Sequence, residues 1–326
     1  MIGVLLCLTT IAPASETAYG CYEPNVRMMY PDLARLNFRD LARRGFTTST
    51  VSGNASAHFG PTMQIGLARQ VDMMIEEGIA RKDRPMLCLS ADAVDIAGAK
   101  QYAAHPDRWP ELVLGNVDEP NVTQIKTVRE YSCKARESGV RNGTAIAGYS
   151  LYQPGADAAD GCIADWLDLW IVLASTWQTD LYEKAKQQTA DLYAYWAYPR
   201  EADRDRYVAG LWCWRWSPRT FYFWAYNHSG LHGTLPNGEH LEDPADTYSL
   251  ATGSLAGPVG TPSLEAVAEG IKDHALLDRL KDSGRGGAWL KDLWDSIPVC
   301  MPPPPKPVPR TDFAGIRREA ERRLRG

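Results

Sequence analysis

The sequence predicts a single large α/β domain, a (β/α)8 TIM barrel, with a proline-rich C-terminal tail. First, the chain has 326 residues, of which 44% are hydrophobic and 23% are charged, and a chain of this kind can bury one large core. Second, strand-like apolar runs alternate with helix-like runs from Ala18 to Leu280. Third, this alternation gives eight strands, whereas a doubly wound open sheet more often stops at roughly five to seven.

The predicted elements follow one another as strand and then helix, an order that is typical of parallel strands. The first helix, residues 31–44, carries an apolar stripe with Leu33 and Leu41, and Gly45 gives it a natural end. The stretch 231–261 is rich in Gly, Pro, Asp and Thr, which predicts a long loop over the mouth of the barrel. The predicted strands are residues 18–22, 46–51, 85–89, 111–117, 142–147, 167–174, 191–197 and 221–225. The other predicted helices are residues 62–77, 92–104, 122–138, 180–188, 202–213 and 263–280.

The N-terminal segment stands apart from the barrel domain, which we assign to residues 18–282. Residues 1–17 contain an apolar run that ends at Ala12-Pro13-Ala14, a pattern that signal peptidase tolerates, but no basic residue precedes the run. The segment is therefore either a leader or a strand left from an upstream domain. If residues 1–14 are a signal peptide, the protein is expected to be secreted or periplasmic, and otherwise cytoplasmic.

Residues 283–326 form a C-terminal extension of unusual composition. The prolines between residues 301 and 309 predict a stiff, extended spacer. The arginine-rich segment 312–325 predicts a solvated helix or a disordered end.

Composition and charge exclude several classes of function. The formal net charge is −5 and no basic stripe is present, so a nucleic-acid partner is not expected. No apolar run in the body of the chain approaches the roughly 20 residues of a membrane-spanning helix, so no membrane span is expected. The seven cysteines form no C-x-x-C pair, which argues against a zinc ribbon or a redox site. We therefore expect neither a metal nor a cofactor, and no feature indicates an oligomeric state.

The most informative feature is the pair Asp118-Glu119, which directly follows the predicted strand 111–117. Barrel enzymes keep their catalytic residues at the carboxyl ends of their strands, so this pair is a candidate for acid and base chemistry. The same pair could instead cap the helix that is predicted to begin near Val122, because acidic residues stabilise a helix N-terminus.

Aromatic residues follow several of the other predicted strands. The eleven Trp and fifteen Tyr of the chain are many for its length, and aromatic rings stack on the apolar faces of sugars. We expect the residues at the carboxyl ends of strands five to eight to form a sugar-binding cup around the acids. The expected substrate-binding residues are Tyr149, Trp177, Trp196, Tyr198, Trp224, Tyr226 and Asn227.

The spacing of the two acids limits the mechanism. Adjacent residues of an extended strand point to opposite sides, so Asp118 and Glu119 can share a pocket only where the strand bends into its loop. They cannot easily flank one glycosidic bond from opposite faces, as two-carboxylate glycosidases require. They suit a substrate-assisted reaction, in which the 2-acetamido oxygen of the sugar attacks the anomeric carbon. Two alternatives stay open: a two-carboxylate glycosidase whose nucleophile is Asp157 or Glu201, and a non-catalytic carbohydrate-binding barrel.

Three segments of the chain resemble the catalytic domain of glycoside hydrolase family 123 and the related domain of unknown function 4091. They are Val-Asp-Glu-Pro at 117–120, Tyr-Phe-Trp-Ala-Tyr-Asn at 222–227, and Pro-Ser-Leu-Glu-Ala-Val-Ala-Glu-Gly-Ile-Lys-Asp-His-Ala-Leu-Leu at 262–277. The resemblance implies a retaining β-N-acetylgalactosaminidase that acts on a terminal sugar of a glycan by substrate assistance. It also implies that Asp118 orients the acetamido group and that Glu119 is the general acid/base.

Overall fold

The computed structural model describes residues 17–22, 31–52, 67–89, 96, 99–100, 102–198, 201–224, 251–254 and 257–326. Residues 1–16, most of the predicted helix 92–104, and the candidate site residues Tyr226 and Asn227 lie outside these described residues.

Eight parallel strands form one sheet. They are β1 (Ala18–Cys21), β2 (Val51–Ser52), β3 (Met86–Leu89), β4 (Leu112–Gly115), β5 (Arg141–Ile146), β6 (Leu169–Leu173), β7 (Asp191–Trp196) and β8 (Thr220–Phe223). Their order in the sheet is β1-β8-β7-β6-β5-β4-β3-β2, and every pair of neighbours is parallel. The prediction of a parallel α/β fold is therefore confirmed.

Helices cover the outer face of this sheet. They are α1 (Pro31–Arg43), α2 (Leu67–Glu76), α3 (Ile125–Glu137), α4 (Leu181–Gln187), α5, α6 (Pro262–Asp282), α7 (Gly287–Ser296) and α8 (Phe313–Arg325). Helix α5 consists of three consecutive stretches, Ala202–Tyr207, the π-helical turn Val208–Trp212, and Cys213–Trp216. Helix α6 begins at Pro262 because the Thr261 hydroxyl accepts a hydrogen bond from the Leu264 amide and proline suits a first helical position. Among the described residues, no helix combines the length and the apolar character needed to cross a membrane.

The sheet is strongly curled, as contacts between distant strands show. The hydroxyl of Tyr195 in β7 donates a hydrogen bond to Glu119, which follows β4, although two strands lie between β7 and β4. A flat sheet would separate β7 and β4 by roughly 14 Å, because neighbouring strands lie about 4.8 Å apart. At the two ends of the sheet, the amides of Thr47 and Thr48 donate to the Tyr19 carbonyl at 2.9 and 3.1 Å, and Thr50 donates to the Cys21 carbonyl at 3.2 Å.

The curled sheet separates two layers of buried side chains. Within β7, Tyr193 and Tyr195 point to the concave side, whereas Ala194 and Trp196 point to the helices, as the alternation of a strand requires. We call the concave layer the inner cluster and the layer between sheet and helices the outer core. The inner cluster consists of Tyr22, Leu87, Val113, Ala145, Leu169, Ile171, Tyr193, Tyr195 and Tyr222.

Part of the predicted loop 231–261 is a β-hairpin, which corrects that prediction for the residues that are described. Strands β9 (Ala251–Ser254) and β10 (Gly257–Gly260) pair antiparallel, with Val259 opposite Thr252. The many glycines suggested a loop, but this pair of β-branched residues fits a strand.

The C-terminal extension packs on the body of the protein: its residues Phe313–Arg325 form a helix, which is one of the two predicted alternatives, but one side of this helix is buried rather than solvated. The buried guanidinium of Arg204 donates hydrogen bonds to the carbonyls of Pro302 and Lys306, the latter at 2.7 Å. In α8, Phe313 and Ala320 are buried in the outer core. The arginines of the tail suggested full solvation, yet Arg317 pairs with the buried Asp273 of α6.

Candidate active site at the carboxyl edge of the sheet

Four strands bring polar and aromatic side chains together at one edge of the sheet. Tyr22 follows β1, Asp118 and Glu119 follow β4, Tyr195 lies near the end of β7, and Trp224 follows β8. Because all the strands are parallel, their carboxyl ends meet at the same edge. We call these five residues the tyrosine–carboxylate cluster.

A buried hydrogen-bond network fixes the backbone where β4 ends. The side-chain amide of Asn116 donates to Ser132 Oγ and Asn142 Oδ1, both at 3.0 Å, and its oxygen accepts from the Val117 amide at 2.7 Å. The Thr144 hydroxyl donates to the Val117 carbonyl at 2.7 Å. These hydrogen bonds therefore fix the backbone of residues 116 and 117, directly before Asp118.

The chain bends sharply at Glu119. This residue has φ 43°, in the left-handed region that non-glycine residues seldom adopt, and its amide donates to the Ala145 carbonyl at 3.0 Å. The bend is what two adjacent carboxylates need to share a pocket. Asp118 and Glu119 are both exposed, so a ligand can reach them.

The acids do not cap the helix that follows them. Asn121 caps it instead: the Asn121 side chain accepts from the Thr123 amide at 2.9 Å, and the Gln124 side chain accepts from the Asn121 amide at 3.1 Å. The alternative explanation of Asp118-Glu119 as a helix cap is therefore wrong.

Tyr195 is the hydrogen-bond partner of Glu119. Its hydroxyl donates to Glu119 Oε1, and its ring is buried in the inner cluster. Burial, and then the hydrogen bond to Glu119, raise the pKa of Tyr195 far above its usual value. Tyr195 therefore stays neutral and acts as a donor across the whole physiological pH range.

Tyr22 packs among the other aromatic rings at this edge of the sheet. It is 2% exposed, and its ring centroid lies 5.3 Å from that of Trp224, 5.3 Å from that of Tyr222 and 6.3 Å from that of Tyr195. Burial, and then the negative charge of Asp118, raise the pKa of Tyr22 well above its usual value, and Glu119 contributes in the same direction. Both carboxylates are therefore near enough to Tyr22 for their charges to raise its pKa.

The structure does not bring the whole predicted aromatic cup together. Trp177 and Trp196 are buried in the outer core, where Trp177 packs against Trp212 at 5.2 Å and Trp196 donates to Asp205 Oδ1 at 3.2 Å. Tyr198 packs edge-on against Trp196 at 5.3 Å, on the same side of the sheet. These three residues pack on the helix side of the sheet. For Trp196 the reason is the alternation of β7, which turns its side chain away from the concave side.

Two other predicted residues lie at the correct edge. Trp224 packs against the inner cluster through Tyr22. Tyr149 is 61% exposed in the turn after β5. The sequence analysis overlooked Tyr22 and Tyr195, although the alternation of Tyr193 and Tyr195 within β7 was a signal that these two residues share one face.

The segment 262–277, which contributed to the family resemblance, packs against helix α5 and, through His274, against Tyr19 of β1. A side chain at Gly270 would meet the Arg206 carbonyl of α5 at 2.6 Å, so α5 and α6 cross closely at this point. Asp273 is buried and binds Arg206 at 2.8 Å. Ser263 hydrogen-bonds to Asp205, whose burial raises its pKa to about 8.

The carboxylates of the two alternative nucleophiles each interact with a residue close by in the sequence. Asp157 Oδ1 accepts from the Ala159 amide at 3.0 Å, and Glu201 pairs with Arg204 at 3.1 Å. Within the part of the chain that the structure describes, no three His, Cys, Asp or Glu side chains are grouped so that they could hold a metal ion.

The fold and the site define a parallel α/β protein with two adjacent carboxylates and two buried tyrosines at the carboxyl edge of its sheet. No family model and no curated protein matches the chain. Among solved structures, it is similar to a sugar phosphate isomerase/epimerase from Parabacteroides distasonis ATCC 8503, with 11% identity, a TM-score of 0.40, and coverage of 82% of this chain and 97% of the other. It is also similar to a xylose isomerase-like TIM barrel/4-hydroxyphenylpyruvate dioxygenase fusion protein, with 11% identity, a TM-score of 0.35, and coverage of 90% and 47% respectively. The function is therefore inferred from the residues of the site.

Proposed function

We propose that this protein is a retaining glycoside hydrolase that removes terminal β-linked N-acetylhexosamine by substrate-assisted catalysis. The observation that carries the proposal is the bend at Glu119, the backbone geometry that two adjacent carboxylates need in order to act on one ligand. N-acetylgalactosamine is the preferred candidate sugar, because the resemblance of three segments to glycoside hydrolase family 123 implies it.

The two carboxylates have different parts in the proposed reaction. The acetamido oxygen attacks the anomeric carbon while the glycosidic bond breaks, and Glu119 gives its proton to the departing oxygen. Asp118 accepts a hydrogen bond from the acetamido N–H and stabilises the positive charge that develops on that group. Water then opens the cyclic intermediate and returns a proton to Glu119, so that the β configuration is retained.

The surroundings of Glu119 hold one of its two carboxylate oxygens in place. Tyr195 binds one of its carboxylate oxygens and leaves the other for the leaving group. Because Tyr195 is buried in the inner cluster, it holds this oxygen in one position. Trp224, beside Tyr22, offers an apolar surface on which one face of a sugar could stack.

The proposal includes a complete (β/α)8 barrel. The backbone hydrogen bonds from Thr47, Thr48 and Thr50 to β1 support closure, because they join the segment before β2 to the strand at the other end of the sheet. A closed barrel would also explain why the acids after β4 are near enough to Tyr22, which follows β1, to raise its pKa.

The experiment that tests the activity is hydrolysis of a panel of 4-nitrophenyl β-glycosides with and without the 2-acetamido group. We expect release from the N-acetylgalactosaminide, inhibition by a thiazoline analogue of the intermediate, and far slower release from the plain galactoside, which lacks the internal nucleophile. Comparable rates on the galactoside would exclude substrate assistance and favour a two-carboxylate mechanism. Binding of the sugar without any release would favour the non-catalytic carbohydrate-binding protein.

A further inference from the structure

A cavity lies between α5, α7 and the first turn of α8, on the helix side of the sheet. Its volume is about 410 Å³, within the range of roughly 300–1,000 Å³ that is usual for small-molecule sites. It is separate from the tyrosine–carboxylate cluster, because none of the five residues of that cluster lines it. The proposed glycosidase reaction makes no use of this cavity.

The cavity adjoins a part of α5 that is firmly bound to the C-terminal extension at two positions. Arg204 donates to the Lys306 carbonyl at 2.7 Å, and Trp212 Nε1 donates to the Val299 carbonyl at 2.9 Å. Between these two positions, the π-helical turn of α5 contributes Leu211 to the wall of the cavity. Turns of this kind are frequent at functional sites. The wall that α5 provides is therefore preformed.

Most of the wall is apolar. Leu211, Trp289, Leu293 and Ile316 line the cavity, and Leu211 is buried whereas the other three are half-buried. The guanidinium of Arg323 lies over the Trp289 ring, 5.3 Å from its centroid, and so helps to hold this ring in place. These side chains suit a ligand with an apolar body, and the indole suits a ligand that contains a ring.

One polar group in the wall is without a partner. Tyr207 lines the cavity and is 2% exposed, and its hydroxyl makes no hydrogen bond with a described residue. This hydroxyl is not closed off in the core, as the unpaired hydroxyls of Tyr102 and Tyr222 are. Burial raises the pKa of Tyr207 to about 12, against an opposing effect of Arg215, so the hydroxyl stays protonated. A ligand in the cavity therefore meets a free hydrogen-bond donor.

The mouth of the cavity supplies a second free donor. Arg310 is exposed and makes no hydrogen bond or ion pair with a described residue. The other polar side chains of the cavity are engaged: the hydroxyls of Ser296 and Thr311 donate to backbone carbonyls at 2.7 and 2.9 Å, and Asp312 caps α8 and lies 3.7 Å from Arg318. Both free groups are donors and one is a cation, so a matching ligand supplies acceptor oxygens. A carboxylate supplies two of them on one carbon.

We propose that this cavity is a second binding site, which takes a small carboxylic acid with an apolar ring. The ring lies against Trp289 and the apolar side chains of the wall, and the carboxylate accepts hydrogen bonds from the Tyr207 hydroxyl and the Arg310 guanidinium. The site goes beyond the proposed glycosidase activity and does not depend on it.

The test measures binding to the full chain by isothermal titration calorimetry. The probe is 3-phenylpropanoate, and its neutral analogue is 3-phenylpropanamide. We expect the carboxylate to bind with a Kd below about 1 mM, and the amide to bind at least roughly tenfold more weakly. Tyr207→Phe and Arg310→Gln should each weaken binding of the carboxylate roughly three- to tenfold, because each removes one hydrogen bond. In Arg310→Gln the preference for the carboxylate over the amide should shrink by the same factor.

Two variants serve as matched controls. Tyr102→Phe also removes an unpaired tyrosine hydroxyl, but Tyr102 stacks on Trp109 at 4.8 Å and does not line the cavity. Arg325→Gln also removes an exposed arginine, but Arg325 lies at the other end of α8, where it pairs with Glu321. Neither control should change the affinity for 3-phenylpropanoate.

Several outcomes would overturn the inference. Absence of binding of both probes would do so, and equal binding of the carboxylate and the amide would exclude the proposed class of ligand. A loss of affinity in the controls that equals the loss in Tyr207→Phe and Arg310→Gln would mean that the probe binds elsewhere. If Tyr207→Phe does not fold, the exposed Arg310→Gln decides, and an affinity that it leaves unchanged overturns the proposal. None of these outcomes depends on hydrolysis of a glycoside, so failure of this site and failure of the proposed enzyme are distinguishable.

Discussion

Tyr195 of β7 and Glu119, beyond the end of β4, are joined by a hydrogen bond across the concave side of the sheet. The bond exists only because the sheet curls enough to bring these strands together, so the curvature of the sheet and the geometry of the site are linked. Glu119 is thus held twice, through its amide by Ala145 and through its side chain by Tyr195.

Removing the Tyr195 hydroxyl should loosen Glu119 without changing its chemistry. We expect Tyr195→Phe to lower turnover by up to roughly 10²-fold, because an acid that is misplaced by about 1 Å loses that much. The loss should be larger for alkyl glycosides than for 4-nitrophenyl glycosides, whose leaving group needs little protonation. Steady-state kinetics on both kinds of substrate measure it.

Tyr193→Phe is the matched control for this variant. Tyr193 lies two residues earlier in β7, and its hydroxyl donates to the Pro85 carbonyl at 3.5 Å rather than to an acid. If Tyr193→Phe and Tyr195→Phe lost activity equally, the effect would come from the inner cluster and not from the contact with Glu119.

Glu119→Gln tests the acid directly. We expect turnover to fall by roughly 10²–10⁴-fold on substrates with poor leaving groups and by less on activated aryl glycosides. Glu201→Gln, which changes a carboxylate that is paired with Arg204, should keep the activity of the unaltered protein. An equal loss of both kinds of substrate in Glu119→Gln would contradict its part as a general acid.

The sequence predicted the order of the strands and their parallel direction because apolar runs and amphipathic runs alternate regularly. It could not determine which face of a strand carries each aromatic residue. Tyr195 and Trp196 are neighbours in the sequence, and a shift of one residue in the phase of β7 exchanges their positions between the inner cluster and the outer core. The affinity of aromatic rings for sugars favours Trp196 as a binding residue, whereas the alternation that starts at Tyr193 places Tyr195 in the site.

Other features of the site depend on contacts that a single sequence does not reveal. The left-handed backbone of Glu119 is stabilised by Ala145 of the neighbouring strand, and nothing in the local sequence marks it. Likewise, the sequence does not distinguish Arg317 from the other arginines of the tail. Only the structure shows that Arg317 pairs with the buried Asp273. The features of the fold and the site that the sequence did not predict therefore depend on contacts between residues that are distant in the sequence.

Because α5 and α6 cross closely at Gly270, even a methyl group at this position should destabilise the protein. In Gly270→Ala the new methyl group would lie 2.6 Å from the Arg206 carbonyl and 2.7 Å from the Ala209 side chain, so the helices must move apart. We expect a loss of roughly 1–3 kcal/mol in the free energy of unfolding, although alanine is the better helix former. Urea unfolding measures it, with the exposed Lys272→Ala of the same helix as the control, for which a change within about 0.5 kcal/mol is expected.

The buried carboxyl of Asp205 should make the stability of the protein depend on pH. Its burial raises the pKa to about 8 in the folded protein from a usual value of 3.8, against the opposing effects of Ser263, Trp196 and the charge of Arg204, while Glu201 raises it further. Between these two values the folded state retains a proton that the unfolded state has released, so stability is greatest below about pH 4 with respect to this group and falls as the pH rises toward about 8.

Asp205→Asn should remove this dependence, because asparagine is neutral in both states. We expect urea unfolding between pH 5 and pH 9 to show a decline that Asp205→Asn reduces by at most about 1.4 kcal/mol per pH unit. The exposed Asp203→Asn of the same helix should leave the decline unchanged. Parallel pH profiles for the unaltered protein and Asp205→Asn would mean that Asp205 is already ionised in the folded state at neutral pH, with its charge balanced by the neighbouring Arg204.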